Sequence, residues 1–140
     1  MTADDRVAAV RAMFDELERP ESALTFSVLD NEVTWDARAL PTLDSARVFH
    51  GHDGVRSFWR AWLEAWETIE GFFVEEPRYC ASGNQVVTWW VSRLTGKGSG
   101  VPVRQEAASI FTFLGDRIVH VAIYLSHDDA FRDIGIEPAP

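Results

Sequence analysis

A change of period at Gly71 constrains this chain more than any other feature. Before it, HGHDGVRSFWRAWLEAWETIEGF repeats apolar residues at helical spacing. Val55, Phe58, Trp59, Trp62, Leu63, Trp66 and Ile69 make one broad stripe, with Arg56, Arg60, Glu64 and Glu67 on the wet side. After it, Phe72 to Cys80, Gln85 to Thr95, Val101 to Leu114 and Arg117 to Leu125 read as four strands. Their separators, Ser82-Gly83-Asn84, the run Gly96 to Gly100, and Gly115-Asp116, are too short for a crossover. Strands joined so tightly pair antiparallel.

The N-terminal half supplies the other layer. Thr2 to Glu18 predicts an amphipathic helix through Val7, Val10, Phe14 and Leu17, with Thr2 as its cap and Asp5 in its first turn. Pro20 stops it and suits the start of a second, short helix through Leu24, Phe26 and Leu29. Asp30-Asn31 signals a turn. A first strand, Glu32 to Trp35, then ends on Asp36, and Arg47 to Phe49 reads as a second, separated by the irregular stretch Ala37 to Ala46. The tail from His127 to Ile136 reads as one or two closing helical turns stopped at Gly135 and Pro138. Helices early and strands late predict an α+β domain spanning residues 1–140, with helices packed on one face of a curved antiparallel sheet.

Charge narrows the partners. A formal net charge of -9 is the wrong sign for displacing counterions from phosphates or for an anionic membrane surface, so neither nucleic acid nor membrane is expected. The single cysteine, Cys80, cannot close an internal disulfide or build a cysteine metal site. MTADDRVAAVRAMF has acids beside its first Arg and no apolar h-region, which reads as a cytoplasmic protein. Six Trp and nine Phe are many for 140 residues and serve either a thick core or an apolar pocket.

GHDGVRSFWRAW, SRLTGKGSGVPV, and FTFLGDRIVHVAIY followed by HDDAFRDIGI resemble SnoaL-like proteins. These belong to the nuclear-transport-factor-2-like (NTF2-like), or ketosteroid-isomerase-like, superfamily. The resemblance covers nearly the whole chain. It implies a cone-shaped sheet with a pocket between its concave face and the helices, and often a homodimer through the outer face; no cofactor is expected. It does not imply one reaction, because the fold hosts isomerases, cyclases, dehydratases, epoxide hydrolases and binders. In ketosteroid isomerases the general base is an Asp ending the first strand, and V-T-W-D places Asp36 there. The oxyanion-hole positions match Phe14 and Ser109, and a supporting tyrosine on the long helix matches Trp59. Phe14 has no donor and Ser109 is a far weaker acid than a carboxyl. One lost donor typically slows such chemistry on the order of a hundredfold or more, so ketosteroid isomerisation itself is disfavoured. The position of the late-strand acid in epoxide hydrolases matches Ile123.

Each candidate has a plain structural alternative. Asp36 is a base next to a substrate carbonyl, with Ser109 as a polar contact, or it is a strand-end acid bonded to loop amides, Arg38 or Arg47. His50 and His52 lack a third ligand for tight zinc, so no metal is expected. His120, Ala122 and Tyr124 face outward by the resemblance, while Val121, Ile123 and Leu125 face the pocket. GKGSG at Gly96 to Gly100 joins two strands with no helix behind it, which makes it a hairpin turn and not a phosphate loop. The expected pocket lining is Phe14, Trp35, Phe58, Trp59, Trp62, Trp66, Trp89, Ala107, Phe111, Val121 and Ile123. The functional expectation is a protein that binds an apolar small molecule, with proton abstraction by Asp36 as its enzymatic form. A non-catalytic binding or accessory dimer and a dimerisation module with a filled core are the alternatives.

Overall fold

The two periods of the sequence become a helical layer and a sheet. The structure, a computed structural model, describes residues 1–15, 27–39, 47–68, 73–96 and 100–136. In chain order its elements are α1 (Ala3–Asp15), β1 (Leu29–Asp36), β2 (Val48–His50), α2 (Gly51–Ala65), β3 (Trp66–Thr68), β4 (Arg78–Ser82), β5 (Gln85–Gly96), β6 (Pro102–Leu114), β7 (Arg117–Tyr124) and α3 (His127–Ile134). The predicted helix after Pro20 and the glycine-rich turn between β5 and β6 fall largely outside the described residues.

Capping accounts for the helix ends. Thr2 Oγ1 accepts from the Asp5 amide at 3.1 Å while Asp5 Oδ2 accepts from the Thr2 amide at 3.0 Å, a reciprocal cap at the start of α1. Ser126 Oγ accepts from the Asp129 amide at 3.2 Å to open α3. Gly135 closes it at φ 79°, with its N–H bonded to Phe131 O. The long helix stops at Ala65, earlier than its stripe predicts. Trp66 and Thr68 are good strand formers, and they pair with Gly96 and Thr95 of β5. Likewise the stretch from Phe72 is not all strand. Phe73 makes one bridge to Ser92, and β4 begins only at Arg78, after Pro77, which has no N–H for a ladder.

Among the described residues, seven strands form one sheet in the order β2-β1-β7-β6-β5-β3, and β4 also pairs with β5. The C-terminal strands pair antiparallel as expected, but β1 lies parallel to β7. Two irregularities re-phase the alternation. Between Leu29↔Ile118 and Thr34↔His120 the β1 strand has extra residues, and here the Asp30-Asn31 turn signal is realised as a bulge. Asp30 Oδ2 accepts from the Glu32 amide at 3.0 Å, an Asx-type bond inside the strand. Between Phe113↔Ile118 and Thr112↔His120 the extra residue is Val119. That bulge lets Ile118 and Val121, three apart, both face the helices.

Register then assigns the faces. Phe49, Trp35, Val121, Phe111 and Val86 lie side by side and join Val10, Met13, Val55 and Phe58 in one core beneath α1 and α2. This is the inner face. Ile110 and Val87 lie on the outer face, where Ala130 and Phe131 of α3 cover them, with Trp89 edge-on to Phe131 at 4.9 Å. No helix among the described residues is long and apolar enough to cross a membrane.

Gly51 joins β2 to α2 at φ 69°, and a Cβ there would stand 3.1 Å from Asn31 O. Replacing Gly51 by Ala should therefore cost about 1–2 kcal/mol from the left-handed backbone alone. A urea-unfolding midpoint equal to that of the unsubstituted protein would contradict this origin of the β2–α2 corner.

Candidate functional site

Asp36 is the last residue of β1, and its neighbours decide what its carboxylate can do. It lies opposite Ala122 on β7 and Val48 on β2, in the outer-face row with Ile110 and Val87. Val33 and Trp35, two apart, take the inner positions, so the strand's period of two sends Asp36 the other way. The carboxylate is gripped by Arg38. Oδ1 accepts from Arg38 Nε at 3.0 Å and from the Arg38 amide at 3.2 Å, and Oδ2 accepts from Nη2 at 2.8 Å. The Arg38 hydrogen bonds hold the Asp36 carboxyl below the usual carboxylate range, against a smaller upward push from burial, and His120 nearby adds to the lowering. A proton-abstracting base needs the opposite shift and the opposite face.

Tyr124 on the outer face and His52 on α2 both have structural partners. Tyr124 OH donates to Asp133 Oδ2 at 2.7 Å, and burial with that carboxylate pushes its phenol up. His52 Nε2 lies 2.9 Å from Leu29 O, tying α2 to β1. Among the described residues no three His, Cys, Asp or Glu side chains form a group that could hold a metal ion.

The inner face holds most of the expected lining. Trp35, Phe58, Ala107, Phe111 and Val121 are buried there, and Phe14, Trp59 and Ile123 pack against them. Ser109 is buried on the same face, between Thr88 on β5 and Ile123 on β7. Trp89 is a correction. One residue out of phase with Thr88 and Trp90, it stands on the outer face beneath α3. The side chains of Trp62 and Trp66 lie outside the described residues.

Phe14 is the hub of the interior rings. Its centroid is 5.2 Å from Trp90, 6.0 Å from Phe73, 6.1 Å from Tyr79 and 6.1 Å from Phe111, with edge-on or tilted geometry throughout. A half-open cavity of about 650 Å³ lies against this cluster. Its walls are Arg11, Phe14 and Asp15 of α1, the segment Phe73 to Pro77, and Tyr79 of β4. The Arg11 guanidinium sits over the Tyr79 ring at 4.9 Å. Burial raises the Tyr79 phenol, with Asp15 and Glu76 adding to the rise and Arg11 opposing it.

Sequence reasoning missed Thr88, Tyr79, Arg11 and the Trp90–Ser92 pair, in which Trp90 Nε1 donates to Ser92 Oγ at 2.8 Å. The signal was the alternation of β5. Val86, Thr88, Trp90 and Ser92 all share the phase of the inner face.

Comparison with known proteins follows from this geometry. The profile of the SnoaL-like domain family matches residues 10–121. Among curated proteins no sequence matches significantly. An NTF2-like protein from Burkholderia xenovorans LB400 superposes with a TM-score of 0.76 at 16% identity, covering 94% of this chain and 97% of that one. A protein from Mesorhizobium loti, provisionally named a SnoaL-like polyketide cyclase, gives 0.62 at 16% identity, over 89% and 99%. One from Bacillus subtilis, provisionally named an isomerase, gives 0.68 at 14% identity, over 98% of both chains.

The Asp36–Arg38 pair predicts a pH effect of defined sign. A carboxyl lowered from 3.8 in the folded chain contributes stability that is complete above that ordinary value and is lost as pH falls through the folded value. Arg38 is 71% exposed, so screening keeps the contribution small, under about 1 kcal/mol. Asp36→Asn should thus be slightly less stable than the parent at neutral pH, with the two unfolding curves converging in acid. A gap that widened as the pH dropped would refute the pairing.

Proposed function

The chain belongs to the SnoaL-like domain family, and on that premise we propose that it binds an apolar, ring-bearing small molecule against the inner face of its sheet, entered beside α1. The observation that carries this reading is the cavity of about 650 Å³ lined in part by the Phe14, Phe73 and Tyr79 rings. Its volume falls in the range of small-molecule sites, and between its charged walls, Arg11, Asp15, Glu75 and Glu76, the rings are its main apolar surface. Edge-on and tilted rings form a rigid apolar surface against which a planar ligand can pack. Structural neighbours provisionally named a polyketide cyclase and an isomerase are in keeping with a small-molecule ligand.

Binding without proton abstraction is the form the geometry favours. The Asp36 carboxylate is held by Arg38 on the other side of the sheet, away from these rings. Ser109 keeps its proposed part as a polar contact, because it shares the inner face with the cavity's rings. A homodimer through the outer face remains part of the proposal, and sedimentation of the free protein reads it directly.

Nile red, a neutral solvatochromic dye, tests the binding reading. Its emission should rise and shift blue in a saturable titration with about one site per chain. Phe73→Ala removes a ring that touches both Phe14 and Trp90. It should weaken the dye roughly tenfold, the equivalent of about 1.4 kcal/mol. A titration that never saturates, or an affinity indifferent to Phe73→Ala, would sink the proposal.

A further inference from the structure

The cavity beside α1 joins three aromatic rings to three carboxylates. Asp15, Glu75 and Glu76 share its wall with Phe14, Phe73 and Tyr79. Among the described residues no basic side chain forms an ion pair with any of these acids. The cation in the same wall, Arg11, sets its guanidinium over the Tyr79 ring at 4.9 Å. Three carboxylates against one guanidinium leave the wall negative. Burial raises the Tyr79 phenol, and Asp15 and Glu76 lie close enough to add to the rise against Arg11.

These walls select the charge of what binds between them. A negative cavity repels an anion and draws in a cation. A metal ion would need its oxygen ligands gathered around one point. No three acidic, histidine or cysteine side chains among the described residues form such a group. Carboxylates spread around a wall suit a bulkier cation instead, one whose charge is carried on an apolar body. The rings point the same way. An aromatic face attracts a cation within about 6 Å of its centroid, and Arg11 over Tyr79 already uses this attraction. We propose that the cavity takes a ring-bearing organic cation, such as a protonated aromatic amine or a quaternary ammonium. Its charge lies among Asp15, Glu75 and Glu76, and its rings pack against Phe14 and Phe73. The inference rests on the binding site proposed above and names the charge of the ligand. Arg11 becomes a resident competitor, a cation that covers the Tyr79 face and offsets one carboxylate.

2-Naphthylmethylammonium, 2-naphthylmethanol and 2-naphthoate test it, because they carry one bicyclic ring with a positive, neutral or negative group. At low salt the ammonium should bind about tenfold more tightly than the alcohol, and the carboxylate more weakly than either. The preference should fade at about 1 M salt, where charges act over only about 3 Å. Glu75→Gln combined with Glu76→Gln should remove most of the preference and leave the alcohol's affinity unchanged. Glu32→Gln combined with Asp116→Asn removes the same charge from exposed positions outside the cavity and should leave the preference in place. Arg11→Gln should widen it. An ammonium no tighter than the alcohol would overturn the cationic ligand and leave the binding reading intact. So would a preference narrowed by Arg11→Gln, or lowered equally by the two double variants. Failure of all three compounds to bind would instead remove the binding site and its charge together.

Discussion

The register of β1 against β7 decides where every candidate side chain goes. Trp35 lies opposite Val121 and Asp36 opposite Ala122. Because side chains alternate strictly along a strand, a slip of one residue would put Asp36 inside and Trp35 outside. Several large residues hold the register where it is. Val33, Trp35, Val121 and Phe111 all enter the same core at 4% exposure or less. Each side chain of this size is worth about 1.5–3 kcal/mol when buried. Slipping would expose several at once and gain, in return, only the burial of one carboxylate. The hydrophobic set therefore outweighs anything Asp36 could contribute, and the acid goes where the alternation sends it.

That ordering explains which parts of the molecule were legible beforehand. The helical stripe before Gly71 and the strands after it are local periodic signals, and β5, β6 and β7 appear within a residue or two of their expected bounds. The stop of α3 was equally readable, since Gly135 takes the left-handed backbone that its position implies. Harder were features set by distant partners. Trp66 reads as the continuation of a helix until β5 offers Gly96 to pair with it. The parallel pairing of β1 joins residues more than eighty positions apart and leaves no local trace. Asp30-Asn31 carried a true turn signal, but it marks a bulge within a strand and not the gap before one.

The site divides along the same line. Motif position argued for Asp36 as an inward base, whereas the V-T-W-D alternation with Trp35 inward argued for the outer face. The alternation prevailed because it rests on burial energy, while the motif position rests on similarity to other chains. Trp89 was misassigned for the converse reason. It was grouped with the other tryptophans by type, although Thr88 and Trp90 on either side already fix its phase. A buried donor with no partner among the described residues, such as Trp35 Nε1, cannot be read from any sequence, since satisfaction depends on what the fold brings within hydrogen-bond reach.

The distribution of charge fits the proposed ligand. Asp15, Glu75 and Glu76 line the cavity together with one cation, Arg11, on a chain of net charge -9. Anions are repelled at such a mouth. Inside, the described inner-face positions of β5, β6 and β7 carry no charged side chain, only hydroxyl, amide, indole and apolar groups. The outer face bears on Asp36 in turn. There the Arg38 guanidinium outweighs the upward push of burial and favours the ionised carboxylate. A base poised to take a proton needs burial to win that contest, and at the end of β1 it does not.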